Sequence, residues 1–347
     1  MRAAIFHAPG DITVAAIPDP TIAAPTDAIV RVVLACVCGS DLWYWRGLTE
    51  HGNNGIGHEF VGVVEAIGSA VTSIREGDFV IAPFAFSDGT CPNCLAGVQT
   101  ACLAGGFFGD ADGLGGQAEL VRVPQADGTL VKVPAGTYDD ATMRSLLALS
   151  DVMGTGHHAA FSAGVTAGDT VAVVGDGAVG LSAVLAANRL GANRIIALSR
   201  NPARQALARE FGATDIIEQR GDEAVEMVRG LTGGIGVDAA LECVGTNDAM
   251  STAMAIARPG STVGYVGVPH GVELEVPTIF YRNVGIQGGP APVRAYIPAL
   301  LEDVLAGRIN PGRVFDFETD LEHTADAYAA MDDRRAIKSL IRVGAIR

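Results

Sequence analysis

The stretch Asp169–Arg200, "DTVAVVGDGAVGLSAVLAANRLGANRIIALSR", decides the fold. It reads as an apolar strand, a glycine turn, an apolar helix and a second apolar strand, the pattern of a βαβ unit. Gly175, Gly177 and Gly180 form G-x-G-x-x-G between the first strand and the helix. The first glycine permits the tight turn, the second lets backbone approach a pyrophosphate, and the third packs helix against strand. The free N–H groups and positive dipole end of the helix then favour an anion. In this context the motif points to a bound dinucleotide rather than to a bare turn.

The second strand ends at "IIALSRNPAR", with Ser199 where an NAD-binding unit carries an acid for the ribose 2′-hydroxyl. Arg200 follows at once, and Arg204 lies one helical turn on. A missing carboxylate and a nearby guanidinium suit a 2′-phosphate, so the pattern predicts NADP(H) in preference to NAD(H). The competing reading makes both arginines solvated residues at a helix start.

Strand and helix segments keep alternating from "NPARQALAREFGATDII" at Asn201 to "NVGIQGG" at Asn283. This predicts an α/β domain with a doubly wound parallel sheet. Before it, "AAIFH", "DAIVRVVLACV", "EFVGVVEAIG", "DFVIAPFA" and "GGQAELVRVP" are short strands between Gly, Pro and Asp clusters, a β-rich, barrel-like texture. After about Pro290 come two helical segments and a last strand, "KSLIRVG".

The chain of 347 residues suits two domains. No apolar run is long enough to span a bilayer, and the N-terminal "MRAAIFHAPGDITVAAIPDP" lacks the apolar core of a signal peptide; a cytoplasmic protein with no membrane partner is expected. A net charge of -15 argues against a nucleic-acid partner. The six cysteines cluster, which favours thiolate ligands over a disulfide framework. Cys91, Cys94 and Cys102 fall in one lobe, "SDGTCPNCLAGVQTAC", and supply three ligands where a closed zinc site needs four. Cys38 in "CVCGSD", and His58 with Glu59 in "GIGHEF", are scattered ligand types of the kind found around a catalytic zinc.

Taken together, "CGSD" from Cys38, "GHEFVGVVEAIG" from Gly57, the cysteine lobe, "SDVMGTGHHA" from Ser150 and "VVGDGAVG" resemble the zinc-dependent medium-chain alcohol dehydrogenases over essentially the whole chain. The resemblance implies a GroES-like β-rich catalytic domain (1–153, with a zinc lobe at 87–105), a Rossmann NADP-binding domain (154–291), and a C-terminal segment (292–347) returning to the catalytic domain. It places the active site in the cleft between the domains. It implies catalytic zinc ligands at Cys38 and His58, with Glu59 as a transient ligand. Asp151 stands where many members have a third, cysteine ligand. Asp151 and the Ser199–Arg200 pair both resemble the NADP-dependent secondary alcohol dehydrogenases, although Asp151 also reads as a helix N-cap.

The resemblance further implies a Ser40 hydroxyl that passes the alcohol proton outward. Trp43 replaces the usual relay histidine, which leaves His51 or water to continue the path. Thr155, Val179 and the strand end Val266–Val268 are implied nicotinamide contacts. On the family spacing C-x2-C-x2-C-x7-C the lobe's missing ligand falls on Asp88, giving a structural zinc held by Asp88, Cys91, Cys94 and Cys102; the alternative is a metal-free lobe. Trp43, Trp45, Phe84, Phe107 and Tyr281 are expected to wall an apolar pocket for an alcohol or carbonyl substrate. A homodimer or homotetramer is implied as well.

The expected function is hydride transfer between NADP(H) and an alcohol/ketone or aldehyde pair, with zinc as Lewis acid. A polyol substrate, a metal-free quinone-oxidoreductase-like enzyme and a non-catalytic zinc-stabilised NADP-binding protein are the competing readings.

Overall fold

The computed structural model describes residues 1–109 and 115–345. The chain divides into two compact units, one made of Met1–Asp151 with Pro292–Arg347 and the other of Val152–Ala291.

The second unit is built on a six-stranded sheet, and all its neighbouring strands are parallel. Numbered along this unit, the strands lie in the order 3-2-1-4-5-6: Asp215–Ile217, Arg194–Leu198, Thr170–Val174, Val237–Glu242, Ala257–Tyr265 and Gly285–Gly288. The central strands are Val-, Ile-, Leu- and Ala-rich and buried, as a sheet covered by helices on its faces requires. The order reverses between Thr170–Val174 and Val237–Glu242, and such a switch point opens a crevice for a ligand at the strands' carboxyl ends. Helix Ala178–Arg189 packs tightly on helix Val152–Ser162, where a Cβ on Gly156 would lie 2.5 Å from the Ala183 nitrogen.

The first unit carries a seven-stranded sheet among the described residues, mostly antiparallel. Strand Ala28–Cys36 pairs with Phe60–Ile67, Leu120–Val123 and the C-terminal strand Lys338–Arg342. Strands Phe315–Asp320 and Lys338–Arg342 thus complete the sheet that the first third of the chain begins. Its core gathers Val30, Val32, Phe60, Val64, Val80, Leu130, Tyr328 and Ile341. No helix of the described residues is long and apolar enough to cross a membrane.

Candidate active site

Strand register brings the scattered ligand types together. Ala35 pairs with Phe60, so Cys38, two residues past the end of one strand, meets His58 and Glu59, which lead into the other. Leu340 pairs with Cys36 on the opposite side and delivers Lys338 to the same end of the sheet. Asp151 follows helix Asp140–Ala148 on a segment tied to the sheet by the Phe84 N–H, which donates to the Ser150 carbonyl at 3.0 Å.

The result is a cluster of Cys38, His58, Glu59 and Asp151 whose donor atoms lie within 4.8 Å of one another. Cys38 Sγ is 3.6 Å from Asp151 Oδ2, and His58 Nε2 is 3.4 Å from the same oxygen. A tetrahedral zinc with ordinary bond lengths has an S···O edge of about 3.6 Å and an N···O edge of about 3.4 Å. The donors are therefore already spaced as zinc ligands, and one thiolate, one imidazole and one carboxylate balance its charge while leaving a position open. All four residues are buried except His58, whose side chain is 15% exposed.

Asp41 stands behind the cluster. One of its oxygens lies 3.4 Å from His58 Nδ1, and the other accepts from the Cys38 N–H at 2.9 Å. Such a carboxylate fixes the ring so that Nε2 faces the ligand position. Burial opposes charge on His58, but Asp41, Cys38 and Asp151 outweigh it and pull the imidazole well above its usual range. Burial, then the Asp151 charge, raises the Cys38 thiol. A cation would reverse this crowding of acidic groups, and binding it must release their protons.

Glu59 is fully buried, and its Oε1 accepts from Lys338 Nζ at 2.6 Å. Its Oε2 finds no partner among the described residues. Lys338 also donates to the Val37 carbonyl at 3.0 Å. Lys338 carries no spacing signal in the sequence, because strand pairing sets its place, and Asp41, though it closes "CGSD", reaches His58 through the turn after Cys38.

Ser40 is half-buried beside the cluster in sequence. His51 does not meet it: Nδ1 lies 2.7 Å from the Gly52 carbonyl and Nε2 2.8 Å from that of Gly109, with Phe6 and Tyr44 packed edge-on to the ring. Both nitrogens face acceptors, so the ring presents neither to Ser40. Of the expected pocket walls, Phe84 packs edge-on to His58 at 6.2 Å and stacks on Phe107 at 5.8 Å. Trp45 instead turns to the core and lies against Tyr328. Tyr281 is 82% exposed on helix Val276–Arg282.

The cysteine lobe is a second cluster, with donor atoms of Asp88, Cys91, Cys94 and Cys102 within 4.8 Å. Cys91 Sγ and Cys102 Sγ are 3.9 Å apart, against about 3.8 Å for the S···S edge of a tetrahedral zinc. The N–H groups of Cys91 and Thr90 donate to Asp88 Oδ1 and hold its carboxyl down at about 2. Burial and the neighbouring thiols push Cys94 up to about 12, so this lobe also gains from a cation.

In the second unit the glycine loop follows strand Thr170–Val174 as the motif requires. Gly175 has φ +121°, and a Cβ on Gly180 would lie 2.1 Å from the Gly175 carbonyl oxygen. Gly177 caps the helix and has open space where its Cβ would project, so the loop keeps a cradle clear for a phosphate. Val179 sits in the first turn of that helix, and Thr155 is buried on helix Val152–Ser162. Val266 and Val268 follow strand Ala257–Tyr265, where the Val266 N–H donates to the Glu242 carbonyl at 2.9 Å. The buried Glu242 carboxylate accepts from the N–H groups of Val244 and Gly245, both at 2.8 Å, and shapes the turn at the switch point. At the end of strand Arg194–Leu198, Ser199 and Arg204 are buried and both engage Asp176, while Arg200 is exposed with no ion pair among the described residues.

A family model of the alcohol dehydrogenase GroES-like domain matches residues 24–135, and one of zinc-binding dehydrogenases matches 178–305. The zinc-type alcohol dehydrogenase B of Aspergillus flavus is 34% identical over 356 residues, spanning 99% of this chain and 82% of its own. An alcohol dehydrogenase of Cupriavidus necator is 34% identical over 363 residues, with 96% of each chain covered. The solved alcohol dehydrogenase of Thermus sp. ATN1 superposes with a TM-score of 0.91 at 34% identity, covering 99% of this chain and 100% of that one. With a GroES-like unit, a Rossmann unit and relatives along its whole length, the chain belongs to the zinc-dependent medium-chain alcohol dehydrogenases, oxidoreductases with a nicotinamide cofactor.

Proposed function

We propose that the protein interconverts a secondary alcohol and its ketone, with an aldehyde as a poorer partner, using a zinc ion held by Cys38, His58 and Asp151. The observation that carries this reading is the spacing of those three donors at the edges of a zinc tetrahedron. Zinc supplies Lewis-acid polarisation of the substrate oxygen, and the nicotinamide supplies or accepts the hydride. The chain's own part is positioning. Asp41 orients His58, and Lys338 holds Glu59 by one oxygen while the other stays available to the cluster. Ser40 takes the alcohol proton and water carries it onward, because both His51 ring nitrogens rest on the Gly52 and Gly109 carbonyls.

Phe84 and Phe107 beside His58 support an apolar substrate over a polyol, since stacked rings give no hydrogen bonds to extra hydroxyls. Asp88, Cys91, Cys94 and Cys102 hold a structural zinc in this reading. Gly175, Gly177, Val179 and Gly180 seat the dinucleotide, with Thr155, Val266 and Val268 at its nicotinamide end. The exposed Arg200 supports NADP(H) over NAD(H). A homo-oligomer is supported by the outermost strand Gly285–Gly288, which has one neighbour among the described residues, and by the exposed Val276, Phe280 and Tyr281 nearby in sequence.

The test is a panel of secondary alcohols, primary alcohols and polyols, with ketones and aldehydes in reverse, assayed with NADP(H) and NAD(H). The highest kcat/KM is expected for an apolar secondary alcohol or ketone. Preferred oxidation of a polyol would overturn the substrate assignment.

A further inference from the structure

The sequence places no acid at the end of strand Arg194–Leu198, yet the fold brings one there. Asp176, the residue between Gly175 and Gly177, reaches across from the neighbouring strand's loop, and Ser199 Oγ donates to its Oδ2 at 2.9 Å. Arg204 Nη1 lies 3.4 Å from Asp176 Oδ1 and 3.2 Å from its carbonyl oxygen. The two side chains of this ion pair are only 8% and 10% exposed. The hydroxyl and one of the guanidinium groups that a 2′-phosphate would use are therefore already engaged by a carboxylate.

We propose that Asp176 is a specificity-determining residue that limits acceptance of a cofactor 2′-phosphate: it supplies from the glycine loop the carboxylate that this fold ordinarily takes from the second strand's end. The proposal rests on the reading that the glycine loop binds a nicotinamide dinucleotide. A carboxylate held against Ser199 accepts a hydrogen bond from a ribose 2′-hydroxyl and repels a phosphate of about −1.5 to −2 charge. To receive that phosphate, Ser199 and Arg204 must turn from Asp176. Arg200 then sets the direction of the NADP(H) preference, and Asp176 restrains its size.

The experiment uses the full-length zinc-loaded protein and measures Kd by calorimetry for NADPH, NADH, 2′,5′-ADP and 5′-AMP. Asp176→Asn keeps the shape and one acceptor oxygen but removes the charge. It should shift the NADPH-to-NADH Kd ratio at least about tenfold toward NADPH, and tighten 2′,5′-ADP relative to 5′-AMP by a similar factor. Asp176→Ser gives the same reading should the amide variant misfold. Ratios within about threefold of wild type in a folded variant would reduce Asp176 to a structural partner of Ser199 and Arg204 and overturn the proposal alone. Wild-type protein that binds none of the four ligands would overturn the dinucleotide reading and the proposal with it.

Discussion

Lys338 Nζ lies 2.6 Å from Glu59 Oε1, with both side chains essentially fully buried and 279 residues apart in the chain. Burial pushes the Glu59 carboxyl up, and Lys338 opposes that rise; burial acts to lower the Lys338 ammonium, but Cys36 and Glu59 outweigh it and hold it well above its usual range. Lys338→Met leaves Glu59 as an uncompensated buried carboxylate, a change that costs about 3–5 kcal/mol. A fall in Tm of roughly 10 °C is expected by calorimetry. Adding Glu59→Gln should recover a good part of that fall, and a double variant no more stable than the single one would argue against the pairing.

Gly180→Ala tests the loop. Its Cβ would stand 2.1 Å from the Gly175 carbonyl oxygen, so the turn must open and move the helix N-terminus from its place. Loss of NADH and NADPH binding by at least about tenfold is expected in fluorescence titration, about 1.4 kcal/mol or more. Unchanged binding would show that the turn is not where the cofactor sits.

Metal content separates the two clusters. About two zinc per chain are expected from tetrahedral coordination at both sites. Asp88→Ala should lower that to about one, reduce thermal stability and leave some turnover. The Asp88 carboxyl is held down at about 2, so with zinc in the lobe acid should release the metal through protonation of the thiolates, not of this carboxylate. One zinc per chain in freshly purified wild type would mean an empty lobe.

The His51 ring bridges the Gly52 and Gly109 carbonyls, so removing it loosens that loop more than it touches the chemistry. His51→Ala should leave the shape of the kcat pH profile intact, with kcat reduced no more than about tenfold, below the roughly 10²–10⁴-fold that a general acid–base group contributes. Loss of the acid limb of that profile would restore His51 as an obligatory proton carrier.

Much of this molecule was legible in the sequence where the cause is local. The glycine loop from Gly175 and the lobe from Asp88 to Cys102 are short segments whose spacing is their geometry. The parallel sheet followed from alternating apolar segments. Cys38 and His58 announced themselves by residue type, but their meeting depends on the Ala35–Phe60 register, which composition does not encode. Lys338 owes its place to strand pairing, so no motif marked it, while Asp41 closes the "CGSD" motif but its role behind His58 depends on the turn after Cys38. Asp176 occupied a position of the glycine motif that tolerates any residue, and its reach to Ser199 appears only when adjacent parallel strands set the two loops side by side. Trp45 followed the hydrophobic core instead of the pocket, the ordinary fate of a large aromatic on a short helix.

In the proposed function a metal held by Cys38, His58 and Asp151 carries the reaction. The most direct measurement strips zinc by chelation, verifies its loss by elemental analysis, and follows nicotinamide absorbance with a secondary alcohol before and after zinc is restored. Activity is expected to vanish with the metal and return with it, and Asp151→Ala should neither retain that zinc nor recover. Full turnover in protein shown to hold no metal would contradict the account.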